Sequence, residues 1–158
     1  MIKKNVQIWT DGSCSDQDQI GGWAAILKYE DNIKEISGNT MNATCVSIEV
    51  LAVIKALKVL KEPCCVDLFT DNTFIITNIE KKFKKYVAKS WPNESHKNKY
   101  NDILIQLFKA IGAHDVKCHW VKSHSGVSEN ERCDKIANLA RFNLQYQLIG
   151  SHICTDEA

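Results

Sequence analysis

The apolar and polar positions near the start of the chain follow patterns typical of β-strands. Residues 6–10 form an apolar run, residues 23–29 form a second one, and residues 33–37 alternate between apolar and polar side chains. Between the last two runs, residues 30–32 have the composition of a turn. Three antiparallel strands are therefore predicted at the beginning of the fold.

The periodicity changes to that of a helix between residues 48 and 60. Apolar residues recur there at helical spacing, lysines occupy the opposite face, and Pro63 ends the pattern. Residues 64–70 then form a strand, which we expect to be parallel to the first because a helical crossover separates the two. The remaining predicted elements are a short helix at 73–79, an amphipathic helix at 100–111, a strand at 116–121, a flexible loop at 123–127, and a last helix that begins at Ser128 and frays before Gly150.

The predicted order, β-β-β-α-β-α-α-β-α, is typical of an α/β domain whose mixed sheet is flanked by helices. A length of 158 residues suits a single domain, which we place at residues 1–149, with a flexible C-terminal tail at 150–158. No apolar run approaches the length needed to cross a membrane, and the first residues lack the apolar region of a signal peptide. We therefore expect no membrane association.

The cysteine content bears on the compartment and on metal binding. The chain has seven cysteines, an odd number, and no C-x-x-C pair. This composition favours reduced thiols in the cytoplasm over a disulfide framework or a zinc site. On this interpretation Cys14 and Cys133 are small filling residues.

Two predicted strands end in a carboxylate. Asp11 follows the first apolar run and Asp71 follows the run at 64–70. Two strands that deliver aspartates to one edge of a sheet describe a site for hard divalent cations. The alternative is that both are ordinary turn or capping residues. Glu49 has a similar alternative, since a carboxylate near the first turn of a helix interacts favourably with the helix dipole.

A basic segment follows the second aspartate. Aromatic residues, including Trp91, alternate with lysines there, so the segment is suited to gripping a phosphate backbone. A solvated helix face is the alternative explanation of such a charge run. The lysines of this segment are Lys81, Lys82, Lys84, Lys85, Lys89, Lys97 and Lys99.

Four segments, taken in order, resemble type 1 ribonuclease H over essentially the whole chain. They are Thr10-Asp11-Gly12-Ser13, Glu49-Val50-Leu51-Ala52, Thr70-Asp71-Asn72, and residues 119–134, which contain Trp120-Val121-Lys122-Ser123-His124 and Asn130-Glu131-Arg132-Cys133-Asp134. The resemblance implies a ribonuclease H-like fold, with a five-stranded mixed sheet of three antiparallel strands followed by two parallel ones.

The resemblance also implies roles for five residues. Asp11 would bridge two Mg²⁺ ions, Glu49 and Asp71 would complete the site on the leaving-group side, and Asp134 would hold the ion that carries the nucleophilic water. Mn²⁺ is an alternative ion. His124 would shuttle a proton or assist product departure. Without metal the four acids should repel one another, which raises the pKa of some of them, so divalent ions should stabilise the fold.

The implied activity is endonucleolytic hydrolysis of the RNA strand of RNA–DNA hybrids, leaving 5′-phosphate and 3′-hydroxyl ends. Residues 80–99 occupy the position of the family's basic protrusion, with Lys81, Lys82, Lys84, Lys85, Lys89 and Trp91 as the expected nucleic-acid contacts. We expect a monomer with no obligatory protein partner. A domain with altered, reverse-transcriptase-like selectivity and a non-catalytic hybrid-binding module remain as alternatives.

The chain departs from the family in two places that concern the RNA strand. Residues 15–20 replace a Gly-Asn-Pro-Gly-type loop, and Thr44-Cys45-Val46 replaces an asparagine-rich segment whose amides help to recognise 2′-hydroxyls.

Three smaller expectations concern other motif residues. Trp120 is assigned to the core, Glu131 to a capping box with Ser128, and His96, His114 and His152 to the surface.

Overall fold

The computed structural model describes residues 2–93 and 97–155, with side chains described as far as Ser151. His96 and the side chain of His152 lie outside the described residues. The elements are β1 (Lys4–Cys14), β2 (Gly21–Tyr29), β3 (Asn32–Thr40), α1 (Cys45–Val59), β4 (Cys64–Thr70), α2 (Thr73–Val87), α3 (Asn101–Ile111), β5 (Asp115–Trp120) and α4 (Ser128–Thr155). Their order confirms the predicted one.

A five-stranded sheet in the order β3-β2-β1-β4-β5 forms the centre of the molecule. β1 is antiparallel to β2, and β2 is antiparallel to β3. β4 is parallel to β1 and to β5, since α1 returns the chain to the same end of the sheet before β4 begins. The predicted mixed sheet is confirmed.

Side chains alternate along β1, so the strand contributes to a different core on each face of the sheet. On one face Ile8 belongs to the larger core, which is completed by α1, α2 and α3. On the other face Trp9 packs with Cys133 and Ala137 of α4. α4 therefore covers this face of the sheet alone.

In the described part of the chain no helix has the length and apolar character of a membrane span.

Three helix boundaries differ from the predicted ones. α1 begins at Cys45 because Thr44 and Ser47 form a reciprocal capping box, which leaves Glu49 in the second turn rather than the first. α2 does not stop at residue 79 but continues through the first four lysines of the basic segment to Val87. α4 continues to Thr155, past the predicted end near Gly150. The flexibility of residues 150–158 stays a prediction.

The start of α4 is correct, but its predicted capping interaction is wrong. The Glu131 carboxylate accepts a hydrogen bond from the backbone N–H of Gly126 at 3.3 Å, and the Ser128 hydroxyl donates to Glu129. Glu131 therefore joins the preceding loop to the first turn of α4 instead of pairing with Ser128.

The burial of two tryptophans is the opposite of the predicted one. Trp91, predicted to face a substrate, is only 3% exposed and packs edge-on against Phe108 with ring centroids 5.4 Å apart. It fills the space between the end of α2 and α3, where burial of a large ring is favourable, so it is a core residue. Trp120, assigned to the core, is 58% exposed at the end of β5, the edge strand of the sheet.

Candidate active site

Asp11 lies in β1 at a point where the pairing with β4 has ended but the pairing with β2 continues. β1 is longer than predicted and remains paired with β2 through Cys14, whereas its paired register with β4 ends at Trp9 and Phe69. Asp11 therefore lies just beyond the last β4 partner, and the Asp11 side chain is 6% exposed. Asp71 follows the last residue of β4, so both aspartates lie at the same end of the two parallel strands.

Glu49 reaches the site because Gly12 lets α1 approach β1 closely. A Cβ atom at Gly12 would lie 2.9 Å from Ile48 Cγ2 and 3.1 Å from the backbone nitrogen of Glu49. Any larger residue at position 12 would push the helix away from the strand. The glycine of the Thr-Asp-Gly-Ser segment thus acts through packing, by placing Glu49 beside Asp11.

Asp11, Glu49 and Asp71 form a compact carboxylate cluster. Each contributes an oxygen, and these oxygens lie within 4.8 Å of one another. Glu49 Oε2 is buried and has no hydrogen-bond partner, an arrangement that costs free energy unless a cation or a proton satisfies it. Three convergent carboxylates with an unsatisfied buried oxygen are a donor set that suits a hard divalent cation.

The pKa values of the clustered carboxylates also indicate a site for a cation. Burial, followed by the charges of Asp71 and Asp134, raises the pKa of Asp11 from 3.8 to about 7, against the opposing hydrogen bond from Gly12 N–H. Burial, followed by the charges of Asp11 and Asp71, raises the pKa of Glu49 from 4.5 to about 9. The predicted repulsion among the acids is therefore present, and a bound cation would relieve it.

Asp134 approaches the cluster from the other face of the sheet. It lies next to Cys133, which is fully buried and donates a hydrogen bond to the carbonyl of Trp9 at 3.4 Å. Asp134 is close enough to raise the pKa of Asp11, but it is not one of the three residues whose oxygens lie within 4.8 Å. The structure thus brings three of the four predicted ligands together and places the fourth beside them.

The loop between β5 and α4 is connected to the cluster through a serine. Ser123 Oγ donates a hydrogen bond to Asp71 Oδ2 at 2.5 Å. His124, the next residue, is exposed and has a positive φ of 50°. Ser123 was missed as a site residue because a loop serine carries no distinctive pattern in the sequence.

The predicted nucleic-acid contacts fall into two groups. Most of the lysines are exposed near the end of α2, as a gripping surface requires: Lys81, Lys84, Lys85 and Lys89. Lys82 is half-buried, with its ammonium 5.5 Å from the centre of the Trp91 ring. Part of the segment predicted to form the protrusion, residues 94–96, lies outside the described residues.

Comparison with known sequences agrees with this geometry. Residues 3–142 match the family model for RNase H. The chain is 42% identical over 136 residues to the ribonuclease H of Oleidesulfovibrio alaskensis, covering 85% of this chain and 88% of that protein. It is 39% identical over 142 residues to the ribonuclease HI of Campylobacter jejuni, covering 89% of this chain and 94% of that protein.

Solved structures share the fold at lower sequence identity. The structure of LC9-RNase H1, a type 1 RNase H with the type 2 active-site motif, superposes with a TM-score of 0.79 at 18% identity, covering 90% of this chain and 74% of that one. The N-terminal RNase H domain of a Mycobacterium tuberculosis protein superposes with a TM-score of 0.70 at 16% identity, covering 92% of this chain and 99% of that one. With the fold, the carboxylate cluster and these sequence relationships taken together, the chain belongs to the RNase H family.

Proposed function

We propose that this protein is a metal-dependent endonuclease that hydrolyses the RNA strand of RNA–DNA hybrids and leaves 5′-phosphate and 3′-hydroxyl ends. The observation that carries the proposal is the convergence of Asp11, Glu49 and Asp71 around a buried oxygen that has no partner. Membership of the RNase H family supports the substrate class.

The carboxylates would hold two Mg²⁺ ions, with Asp134 completing the set from α4. When bound, Mg²⁺ polarises the scissile phosphate and lowers the pKa of the attacking water. Asp11, Glu49 and Asp71 supply the negative charge that retains the cations, and the walls formed by β1 and α1 keep bulk water away from the buried side of the cluster. We propose Mg²⁺ as the ion because every proposed ligand is a hard oxygen. Mn²⁺ accepts the same ligands.

His124 is proposed to move a proton at the reacting end of the site. Its exposed imidazole belongs to the same loop as Ser123, which is hydrogen-bonded to Asp71. A histidine side chain can act as both general base and general acid, accepting a proton and releasing it within one turnover. The same position would let it assist departure of the 5′-phosphate product.

Lys81, Lys84, Lys85 and Lys89 are proposed to bind the phosphates of the substrate, and most of the affinity from such contacts is electrostatic. We also propose a monomeric enzyme without an obligatory protein partner, since Asp11, Glu49 and Asp71 converge within one chain. The described cysteines are all free thiols, which supports a reducing, cytoplasmic location.

The test is cleavage of matched substrates of one sequence: RNA–DNA hybrid, double-stranded RNA and double-stranded DNA, each with Mg²⁺ and with a chelator. The expected result is Mg²⁺-dependent cutting of the RNA strand of the hybrid, with end groups confirmed by mass spectrometry. Binding of the hybrid without cleavage in either Mg²⁺ or Mn²⁺ would overturn the proposal in favour of a binding module.

A further inference from the structure

A second group of metal-ligating side chains lies near the carboxylate cluster but is separate from it. Cys14 at the end of β1, Asp16 in the following loop and Cys45 at the start of α1 each contribute one ligand atom, and these atoms lie within 4.8 Å of one another. Cys45 Sγ is 3.5 Å from Asp16 Oδ1. Asp16 and Cys45 are exposed and Cys14 is half-buried, so the group is open to solvent.

The backbone that carries these ligands is held in place by hydrogen bonds. In the loop, Ser15 N–H donates to the carbonyl of Ile20 at 2.9 Å, and Gln19 N–H donates to the carbonyl of Ser15 at 2.8 Å. Ala43 N–H donates to the carbonyl of Gln19 at 2.7 Å, which joins the loop to the segment before α1. The three side chains therefore face one another on a preformed scaffold, as metal sites require.

The separation of Cys45 Sγ and Asp16 Oδ1 is close to that of two ligands of a tetrahedral cation. Zn²⁺ bonds of about 2.3 Å to sulfur and 2.0–2.2 Å to a carboxylate oxygen separate those two atoms by about 3.6 Å in a tetrahedron. Cys45 Sγ and Asp16 Oδ1 are 3.5 Å apart in their hydrogen bond, so little movement is needed to reach this separation. Mg²⁺ and Mn²⁺ prefer oxygen ligands, so two thiolates select against the cations expected at the carboxylate cluster.

We propose that Cys14, Asp16 and Cys45 form a binding site for a thiophilic divalent cation such as Zn²⁺, with water as the fourth ligand. The sequence argued against zinc because the number of cysteines is odd and no C-x-x-C pair occurs. The fold brings them together because β1 and α1 are neighbours.

In the metal-free protein the Cys45 thiol donates a hydrogen bond to Asp16 Oδ1, and a bound divalent cation would take the place of the thiol proton in this contact. Because Cys14 belongs to the strand of Asp11 and Cys45 to the helix of Glu49, the cation also cross-links the two elements that carry these carboxylates.

The experiment is a Co²⁺ titration of the full, reduced chain in excess Mg²⁺, which keeps the carboxylate cluster occupied. The expected result is a thiolate-to-cobalt charge-transfer band that saturates at one equivalent and that Zn²⁺ abolishes by displacement. Loss of a residue that merely orients a metal ligand weakens metal affinity about 10- to 100-fold. Cys14→Ser, Cys45→Ser and Asp16→Asn should therefore each weaken Co²⁺ binding at least tenfold.

Cys65→Ser is the matched control, because Cys65 also faces a carboxylate, with its Sγ 3.9 Å from Asp115 Oδ2, but has no second thiol in that contact. It should leave the band unchanged. A measurement on the wild-type chain needs no variant: Zn²⁺ should protect Cys14 and Cys45, but not Cys65, from alkylation mapped by mass spectrometry. Absence of the band, its survival in both cysteine variants, or equal alkylation with and without Zn²⁺ would overturn the proposal.

Discussion

The Ser123 hydroxyl donates a hydrogen bond to Asp71 Oδ2 at 2.5 Å. This contact joins the loop between β5 and α4, which carries His124, to the carboxylate that follows β4. A carboxylate that accepts a hydrogen bond on one oxygen keeps its other oxygen in a defined direction. Ser123 is therefore a positioning residue for the carboxylate cluster.

Ser123→Ala should lower cleavage activity about tenfold, because the Asp71 carboxylate loses its fixed orientation. The activity lost should be recovered in part at higher Mg²⁺ concentration, a response that a purely structural defect would not show. Steady-state rates measured across a Mg²⁺ titration test this. Ser125→Ala is the control, since that hydroxyl donates only to the carbonyl of Lys122. Equal rates for Ser123→Ala and the wild type would contradict the positioning role.

Asp11→Asn should reduce the cleavage rate by about 10³-fold or more, because the variant lacks a charge expected to hold the catalytic cations. It should also raise the melting temperature of the Mg²⁺-free protein at alkaline pH, where the cluster is ionised, since removal of one buried charge relieves repulsion with Glu49 and Asp71. Asp67→Asn provides the control, because this β4 carboxylate pairs with His119 rather than with the cluster. A near-normal rate in Asp11→Asn would remove the basis of the proposed mechanism.

The unfolding free energy of the Mg²⁺-free protein should fall as the pH rises, and Mg²⁺ should oppose this fall. The folded-state pKa values of Asp11 and Glu49 are raised to about 7 and about 9, so the folded protein holds protons that the unfolded chain releases near pH 4. The contribution of these two groups to the unfolding free energy therefore falls as the pH rises from about 4 to about 9.

Mg²⁺ requires the ionised carboxylates, so the increase in melting temperature that it produces should be larger at pH 8.5 than at pH 6. Thermal unfolding with and without Mg²⁺ across this range gives the measurement. In Asp11→Asn the Mg²⁺-induced increase should be much smaller at both pH values. An increase that is independent of pH in the wild type would contradict the raised pKa values.

Trp91→Ala should destabilise the fold rather than weaken substrate binding directly. Trp91 is buried against Phe108, and removal of such a ring costs about 3–5 kcal/mol of unfolding free energy. Denaturant unfolding gives the free energy, and hybrid affinity is measured at a temperature where the variant is folded. Trp91→Phe should lose less stability. A large loss of affinity with unchanged stability would restore the substrate-facing assignment.

The double variant Lys84→Ala, Lys85→Ala should weaken hybrid binding and reduce the salt dependence of the binding constant. Each lost phosphate contact lowers the slope of log K against log salt concentration by about one unit. The matched control is Lys55→Ala, Lys58→Ala, which removes two exposed lysines from α1. The two double variants should differ, and an equal loss in both would point to net charge rather than a binding surface.

The sequence determined much of the fold by itself because secondary structure depends on short-range periodicity. The alternating and helical patterns predicted the nine elements of the described residues in their order, and the apolar runs before Asp11 and Asp71 placed both residues after a run of strand residues. Family resemblance then selected Glu49 and Asp134, whose local sequence has an equally good explanation as ordinary helix chemistry.

Tertiary structure alone decided the properties that depend on contacts between distant residues. Trp91 belongs to a lysine-rich segment and Trp120 ends a strand, yet the first is buried between two helices and the second is exposed on an edge strand. The unpartnered oxygen of Glu49 and the approach of Cys14 to Cys45 likewise exist only because α1 packs against β1. Periodicity specifies which face of an element is apolar, whereas burial, charge coupling and ligand spacing are set by how the elements pack in three dimensions.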